Sequence, residues 1–310
     1  MKGRNFVLVL LSPMLWTAAI LVDKVLTNGK EEDSKPGSLM AICGLFNLMF
    51  AAVLFLVIKF TGHSLLDLDH TIPLMLNGIL YIAGMWMFLH VLSDEEASRA
   101  DPWFQTIPVF GAIGAFYMLR EMPAWYHIVG IILLVTGGFW LSFHEGKVRF
   151  KHIALMLGAC ICLAVNDNVV ATFGRSEEIQ SFKDFPSMIP AIFADVSGKA
   201  LFGLLILSFG KKYREGFALG IKTKFKLQCY SEGFAISADF LFDAAKLIMP
   251  IATIQAACCT GPLFTLVGAF FLTKFRPDVM EERVDTKTIL HKLGGITLVI
   301  IGGVIFAVTT

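Results

Sequence analysis

Long blocks of apolar residues, parted by short polar stretches, run the length of the chain. The blocks are continuously apolar rather than alternating. That pattern reads as helices, because a helix satisfies its own backbone polar groups inside lipid, whereas a barrel strand alternates between faces. A crossing takes roughly 20 mostly apolar residues. On that length the pattern predicts ten spans, at about 5–22, 38–58, 71–92, 102–119, 124–143, 153–173, 188–209, 230–250, 253–273 and 290–308. The first block, "MKGRNFVLVLLSPMLWTAAILV", exceeds a typical signal-peptide core and lacks a clear small-residue cleavage site, so it reads as a span. The longest connections, 23–37, 210–229 and 274–289, read as loops too short for a soluble domain. Function therefore lies within the membrane or at its faces.

The chain repeats itself. "TIPVFGAIGAF" (106–116, fourth span) returns as "TGPLFTLVGAF" (260–270, ninth span). The pattern His127-x-x-Gly130-x-x-x-Leu134-Val135-x-x-Gly138 returns as His291-x-x-Gly294-x-x-x-Leu298-Val299-x-x-Gly302. A fainter echo pairs Asp23-x-Val25 with Asp167-x-Val169. The expectation is an all-α membrane protein of ten transmembrane helices in two five-helix halves, 1–148 and 149–310. Five is odd, so the second half enters from the opposite side and the repeat is inverted, a common construction in secondary transporters. Pro108 and Pro262, inside the fourth and ninth spans, are expected to kink them beside a cavity.

Composition agrees with this class. Of 310 residues, 56% are hydrophobic and only 16% charged, with a mean hydropathy of +0.70. A net charge of +1 gives no basic excess to suggest nucleic acid as a partner. The cysteines at 43, 160, 162, 229, 258 and 259 lack zinc-site spacing and read as small apolar helix residues. No Walker motif, zinc-ligand cluster or Ser/His/Asp set is present. The reading is therefore no enzyme, no cofactor and no metal; the implied partners are a small-molecule metabolite and the lipid bilayer, with a homodimer left open.

Ionisable residues inside spans cost at least ~2.5 kcal/mol each near the centre, so they face a cavity or a partner. In the eighth span Glu232, Asp239, Asp243, Lys246 and Pro250 follow spacings of one helical stripe. Asp239 and Asp243 are candidates for substrate binding or proton coupling, with Lys246 either joining them or pairing with Asp243 at i,i+3. In the seventh span Asp195 and Lys199, at i,i+4, read as a structural ion pair or as ligand contacts. Asn77 and Tyr81, at i,i+4 in the third span, are neutral candidates for a solute site, as are Trp103, Gln105 and Gln255. Trp103 alternatively reads as an interfacial anchor. Asn166, Asp167 and Asn168 end the sixth span.

The run "EEASRADPWFQTIPVFGAIGAFYMLREMPAWYHIVGIILLVTGG", from Glu95 to Gly138, resembles the fourth and fifth helices of an EamA-like repeat of the drug/metabolite transporter superfamily. The second half matches through Pro262 and the Gly294/Gly302 helix, and departs at Lys274-Phe275-Arg276-Pro277, which leads into a longer acidic loop. The resemblance implies ten helices, a central cavity lined mainly by helices 1, 3, 4, 6, 8 and 9, and alternating access. Members carry amino acids, other metabolites, nucleotide sugars or drugs, and some flip lipid-linked sugars. The small multidrug members carry a glutamate in the first helix; here Met14-Leu15-Trp16-Thr17 stands there, with no acid before Asp23.

The leading expectation is a secondary carrier, an exporter or exchanger, for a small polar or zwitterionic metabolite in the cell (inner) membrane. The alternatives are a flippase for lipid-linked head groups and a non-transporting sensor or assembly protein. Orientation stays open. Lys2, Arg4, Lys59, Arg120, Arg175 and Lys183 lie on the side of the termini, whereas more basic residues, including Lys211, Lys212, Arg214, Lys222, Lys224 and Lys226, lie opposite. Positive charge marks the cytoplasmic side, which puts the termini outside; the resemblance implies that they are inside.

Overall fold

The computed structural model describes residues 3–28, 31–119, 125–142, 150–174, 188–248, 258–277 and 286–308. Among these residues all regular structure is helical: α1 (Gly3–Thr27), α2 (Pro36–Thr61), α3 (Leu68–Asp94), the short α4 (Ala97–Ala100), α5 (Ile107–Leu119), α6 (Trp125–Ser142), α7 (Phe150–Gly174), α8 (Ile189–Leu205), α9 (Lys211–Thr223), α10 (Phe225–Ile248), α11 (Gly261–Phe275) and α12 (Thr286–Val308). Among the described residues, five segments are long and apolar enough to cross a membrane by length and composition: Pro36–Thr61, Leu68–Asp94, Phe150–Val170, Ile189–Phe209 and Thr286–Ile305. Ile128–Gly138 and Gly261–Phe275 are shorter apolar helices.

The polarity runs inside out. Leu48, Met49, Val53 and Leu56 of α2 are exposed, as are Ile72 and Leu76 of α3, while Asn77, Asp195 and Lys199 are buried. Contiguous apolar surface of this kind is a liability in water and the natural outer face in lipid.

The helices meet in pairs: α6 on α12, α2 on α8, α1 on α10, α3 on both α7 and α8, α5 on α7 and α1 on α11. Glycines make the closest crossings. At the α2–α8 crossing a Cβ on Gly44 would lie 2.7 Å from the carbonyl carbon of Gly203. On α6 and α12, a Cβ on Gly302 would lie 2.8 Å from the Gly130 carbonyl oxygen, so the two copies of the His/Gly echo pack on each other. The shared glycine of the other echo behaves alike in both copies. Gly114 of α5 faces Asn168 of α7, and Gly268 of α11 faces Leu21 of α1.

Two expectations change. Pro108 and Pro262 are each the second residue of their helix, α5 and α11, instead of lying in mid-helix. A proline is tolerated in the first turn because the N–H it lacks has no helical acceptor there. The stretch expected as the fourth span accordingly starts as a 3-10 turn, Asp101–Thr106, and becomes α-helical at Ile107. The stretch 210–229, expected as a loop, forms α9 and the first turns of α10. Helix α9 seats its glycine face on the 3-10 turn Glu32–Ser34: Gly216 meets Ser38 and Glu32, and Gly220 meets Ile42. Asp33 fastens it, accepting from Thr223 Oγ1 at 2.7 Å and lying 3.4 Å from Lys224 Nζ.

The turn that follows α3 is clamped from both sides. His152 of α7 reaches Asp94 and Glu95, each at 3.0 Å. Lys292 of α12, wholly buried, lies 2.9 Å from Glu96 and 2.6 Å from Ser98. This fixes the start of the Asp101–Thr106 turn, which walls the cavity described next.

Candidate functional site

The α3–α8 crossing sets the site. A Cβ on Gly78 would lie 2.0 Å from the Asp195 carbonyl oxygen, and one on Gly198 would lie 1.9 Å from the Met75 carbonyl oxygen. Only glycine at both positions lets the two backbones touch. The contact brings Asn77 and Tyr81 of α3 beside Asp195 and Lys199 of α8. Asn77 Nδ2 donates to Asp195 Oδ1 at 3.1 Å. Lys199 Nζ lies 3.1 Å from Asp195 Oδ2, one helical turn back. The same ammonium lies 3.1 Å from Asp239 Oδ2 of α10, and Tyr81 Oη donates to Asp239 Oδ1 at 3.1 Å. It also sits over the Tyr81 ring, 4.0 Å from the centroid. Asn166 Nδ2 of α7 extends the network to the Asn77 carbonyl, at 3.4 Å.

This network forms one wall of a cavity of about 150 Å³. Trp16, Thr17, Tyr81, Phe104, Gln105 and Phe242 line it, with Asp101, Asp167, Asp195, Lys199 and Asp239. Trp16 and Tyr81 lie 6.3 Å apart between ring centroids. On the α11 side Thr265 Oγ1 donates to Asp101 Oδ2 at 2.7 Å, and Thr17 Oγ1 lies 3.3 Å from Thr265 Oγ1. Among the described residues the lining thus combines four carboxylates, one ammonium and several aromatic faces. Aromatic faces and carboxylates both attract cations. Lys199 already occupies such a place, held between two carboxylates and an aromatic face.

Of the expected site residues, Asp239, Tyr81, Gln105, Asp195 and Lys199 meet at the cavity, with Pro108 in its wall. Asn77 lies behind it and orients Asp195. Trp103 is buried in the apolar core, 6% exposed, and is neither lining nor anchor. Gln255 lies outside the described residues, as do the side chains of Asp243 and Lys246. Helix α8, which corresponds to the expected seventh span, lines the cavity as well, beyond the spans that the resemblance implied. Asp101, Thr265, Trp16 and Thr17 were not singled out from sequence. Asp101 stands at a span boundary before a proline, where an acid reads as a helix-start residue. Among the described residues no group of three or more His, Cys, Asp or Glu is arranged to hold a metal.

The model of the EamA-like transporter family matches residues 4–143, consistent with the drug/metabolite transporter superfamily. The resemblance read from sequence is thereby shown over that segment. The chain is an integral multi-pass membrane protein. No curated protein matches the sequence. Among solved structures, one titled "Crystal structure of protein" is similar over 100% of this chain and 98% of its own, with a TM-score of 0.59 and 14% identity. That likeness speaks to the fold.

Proposed function

We propose that this EamA-like membrane protein is a secondary carrier, an exporter or exchanger of the cell membrane, that moves a small polar or zwitterionic metabolite bearing a cationic amine. The carrying observation is the cavity in which Asp195 and Asp239 hold Lys199 against Tyr81. In this reading the substrate ammonium competes with Lys199 for Asp239, and Tyr81 offers it an aromatic face. Gln105 and Asn166 provide neutral hydrogen-bonding groups near the carboxylates. Such a site, mostly apolar with a few convergent polar groups, suits a small organic solute.

Alternating access between two inverted five-helix repeats, about 1–148 and 149–310, completes the reading. The pair pattern supports it. Helix α1 packs on α10 and α11, as α7 packs on α3 and α5, which is the exchange expected of two related halves. In both copies the shared echo glycine meets the first helix of the other half. Ten crossings follow if α1, α5, α6, α10 and α11 span beside the five long apolar segments. Halves related in this way rock about a midplane site.

The test is thermal unfolding of the purified protein against a panel of amine-bearing and amine-free metabolites. A ligand of the native state raises the midpoint by mass action. Stabilisation by an amine that Asp239→Asn abolishes supports the site. Stabilisation only by amine-free anions sinks it.

A further inference from the structure

A second polar cluster lies on α10 two turns before the cavity. Glu232 and Asp239 are seven residues apart, about 10 Å along one helical face. Glu232 is 6% exposed and Gln228, one turn before it, is 1% exposed. Gln228 Nε2 donates to Glu232 Oε1 at 3.0 Å. The other end of that amide, Gln228 Oε1, is buried and has no hydrogen-bond partner among the described residues. From α1, Asp23 approaches closely enough to interact electrostatically with Glu232, and Ser231 Oγ donates to Asp23 Oδ1 at 2.5 Å. From α2, the Cys43 thiol faces the Glu232 carboxylate. Asp239 acts on Glu232 from farther along α10. Among the described residues no ammonium or guanidinium pairs with Glu232 or Asp23. This contrasts with Asp239, which Lys199 neutralises.

A buried acceptor without a donor is destabilising. The missing donor has a simple source. A carboxylic acid and a primary amide pair through two bonds, N–H to the acid carbonyl oxygen and O–H to the amide oxygen. One of these two bonds exists here. A proton on the other oxygen of Glu232 would supply the second. The geometry points to a proton-binding site at Glu232, completed by Gln228 and separate from the solute cavity. One proton passes from water to Glu232 Oε2, forming an O–H bond that Gln228 Oε1 accepts, and no other covalent bond changes. Binding also removes the like-charge opposition between Glu232 and Asp23 across α1 and α10. Those two helices supply Trp16, Thr17, Asp239 and Phe242 to the cavity. Proton occupancy therefore bears on the same two walls that hold the solute.

The test is infrared difference titration of the full-length protein in lipid bilayers, reading the C=O stretching band of a protonated carboxyl group. The wild type shows a band that titrates reversibly and is lost in Glu232→Gln. Because that amide mimics the protonated acid, the variant folds and melts no lower than wild type. In Gln228→Leu the band persists but moves to higher frequency, as an acid that has lost its amide acceptor does. In Asp239→Asn the band remains. Absence of a titrating band in the wild type overturns the proposal. So does a band that survives Glu232→Gln, or one that Gln228→Leu leaves unmoved.

Discussion

Gly78 of α3 and Asp195 of α8 touch through their backbones, with room for no Cβ: one on Gly78 would stand 2.0 Å from the Asp195 carbonyl oxygen. The contact is reciprocal, since Gly198 meets Met75 in the same way at 1.9 Å. Backbone atoms cannot swing aside as a flexible side chain can, so an added methyl group must part the helices. Overpacking of this kind costs about 1–3 kcal/mol. Gly78→Ala and Gly198→Ala are expected to lower the unfolding midpoint in detergent and to weaken solute binding together. Alanine tolerated at both positions without change in either would mean that the two helices are not so closely apposed.

Lys199 is bound by two carboxylates, so its removal strands both. Breaking a buried pair by removing one partner costs about 3–5 kcal/mol. Lys199→Met is expected to destabilise strongly, and the double variant Lys199→Met with Asp239→Asn to recover part of that loss. Chemical denaturation of the wild type, both single variants and the double variant reads the coupling between the two sites. Strict additivity would show that the 3.1 Å contact carries no energy.

Acid is expected to release α9. Burial pushes the Asp33 carboxyl up, but the Thr223 hydroxyl, Lys224 and Ser34 outweigh it and hold the group below its ordinary 3.8. A depressed folded-state pKa gives stability that is present above the unfolded value and lost as pH falls through the folded one. Amide exchange in α9 should therefore quicken only below that ordinary value, and Asp33→Asn should exchange quickly at every pH. Acid-insensitive protection of α9 in the wild type would remove Asp33 as its anchor.

The two echoes were legible because identical residues at matching spacings need no structure to compare. So was the Asp195–Lys199 pair, since i,i+4 spacing is local. The second partner of Lys199, Asp239, lies 40 residues away on another helix, and a stripe on α10 does not say which helix it faces. Helix α9 escaped notice for another reason. Its lysines and arginine mask the apolar face of Tyr213, Phe217 and Ile221, so an average over the stretch reads as loop. The prolines misled because a proline within an apolar block looks central, while the backbone changes from a 3-10 turn to an α-helix at that place. Asp101 gains its place in the cavity only through Thr265, 164 residues away.

The central claim is that Asp239 and its partners bind the transported solute. Uptake of amine-bearing metabolites into proteoliposomes, comparing wild type with Asp239→Asn of equal folding, tests it most directly. The account predicts uptake of an amine solute by the wild type and a loss of roughly tenfold or more in the variant, the factor that 1.4 kcal/mol of lost binding carries. Equal uptake by both proteins, at solute concentrations below saturation, would contradict it.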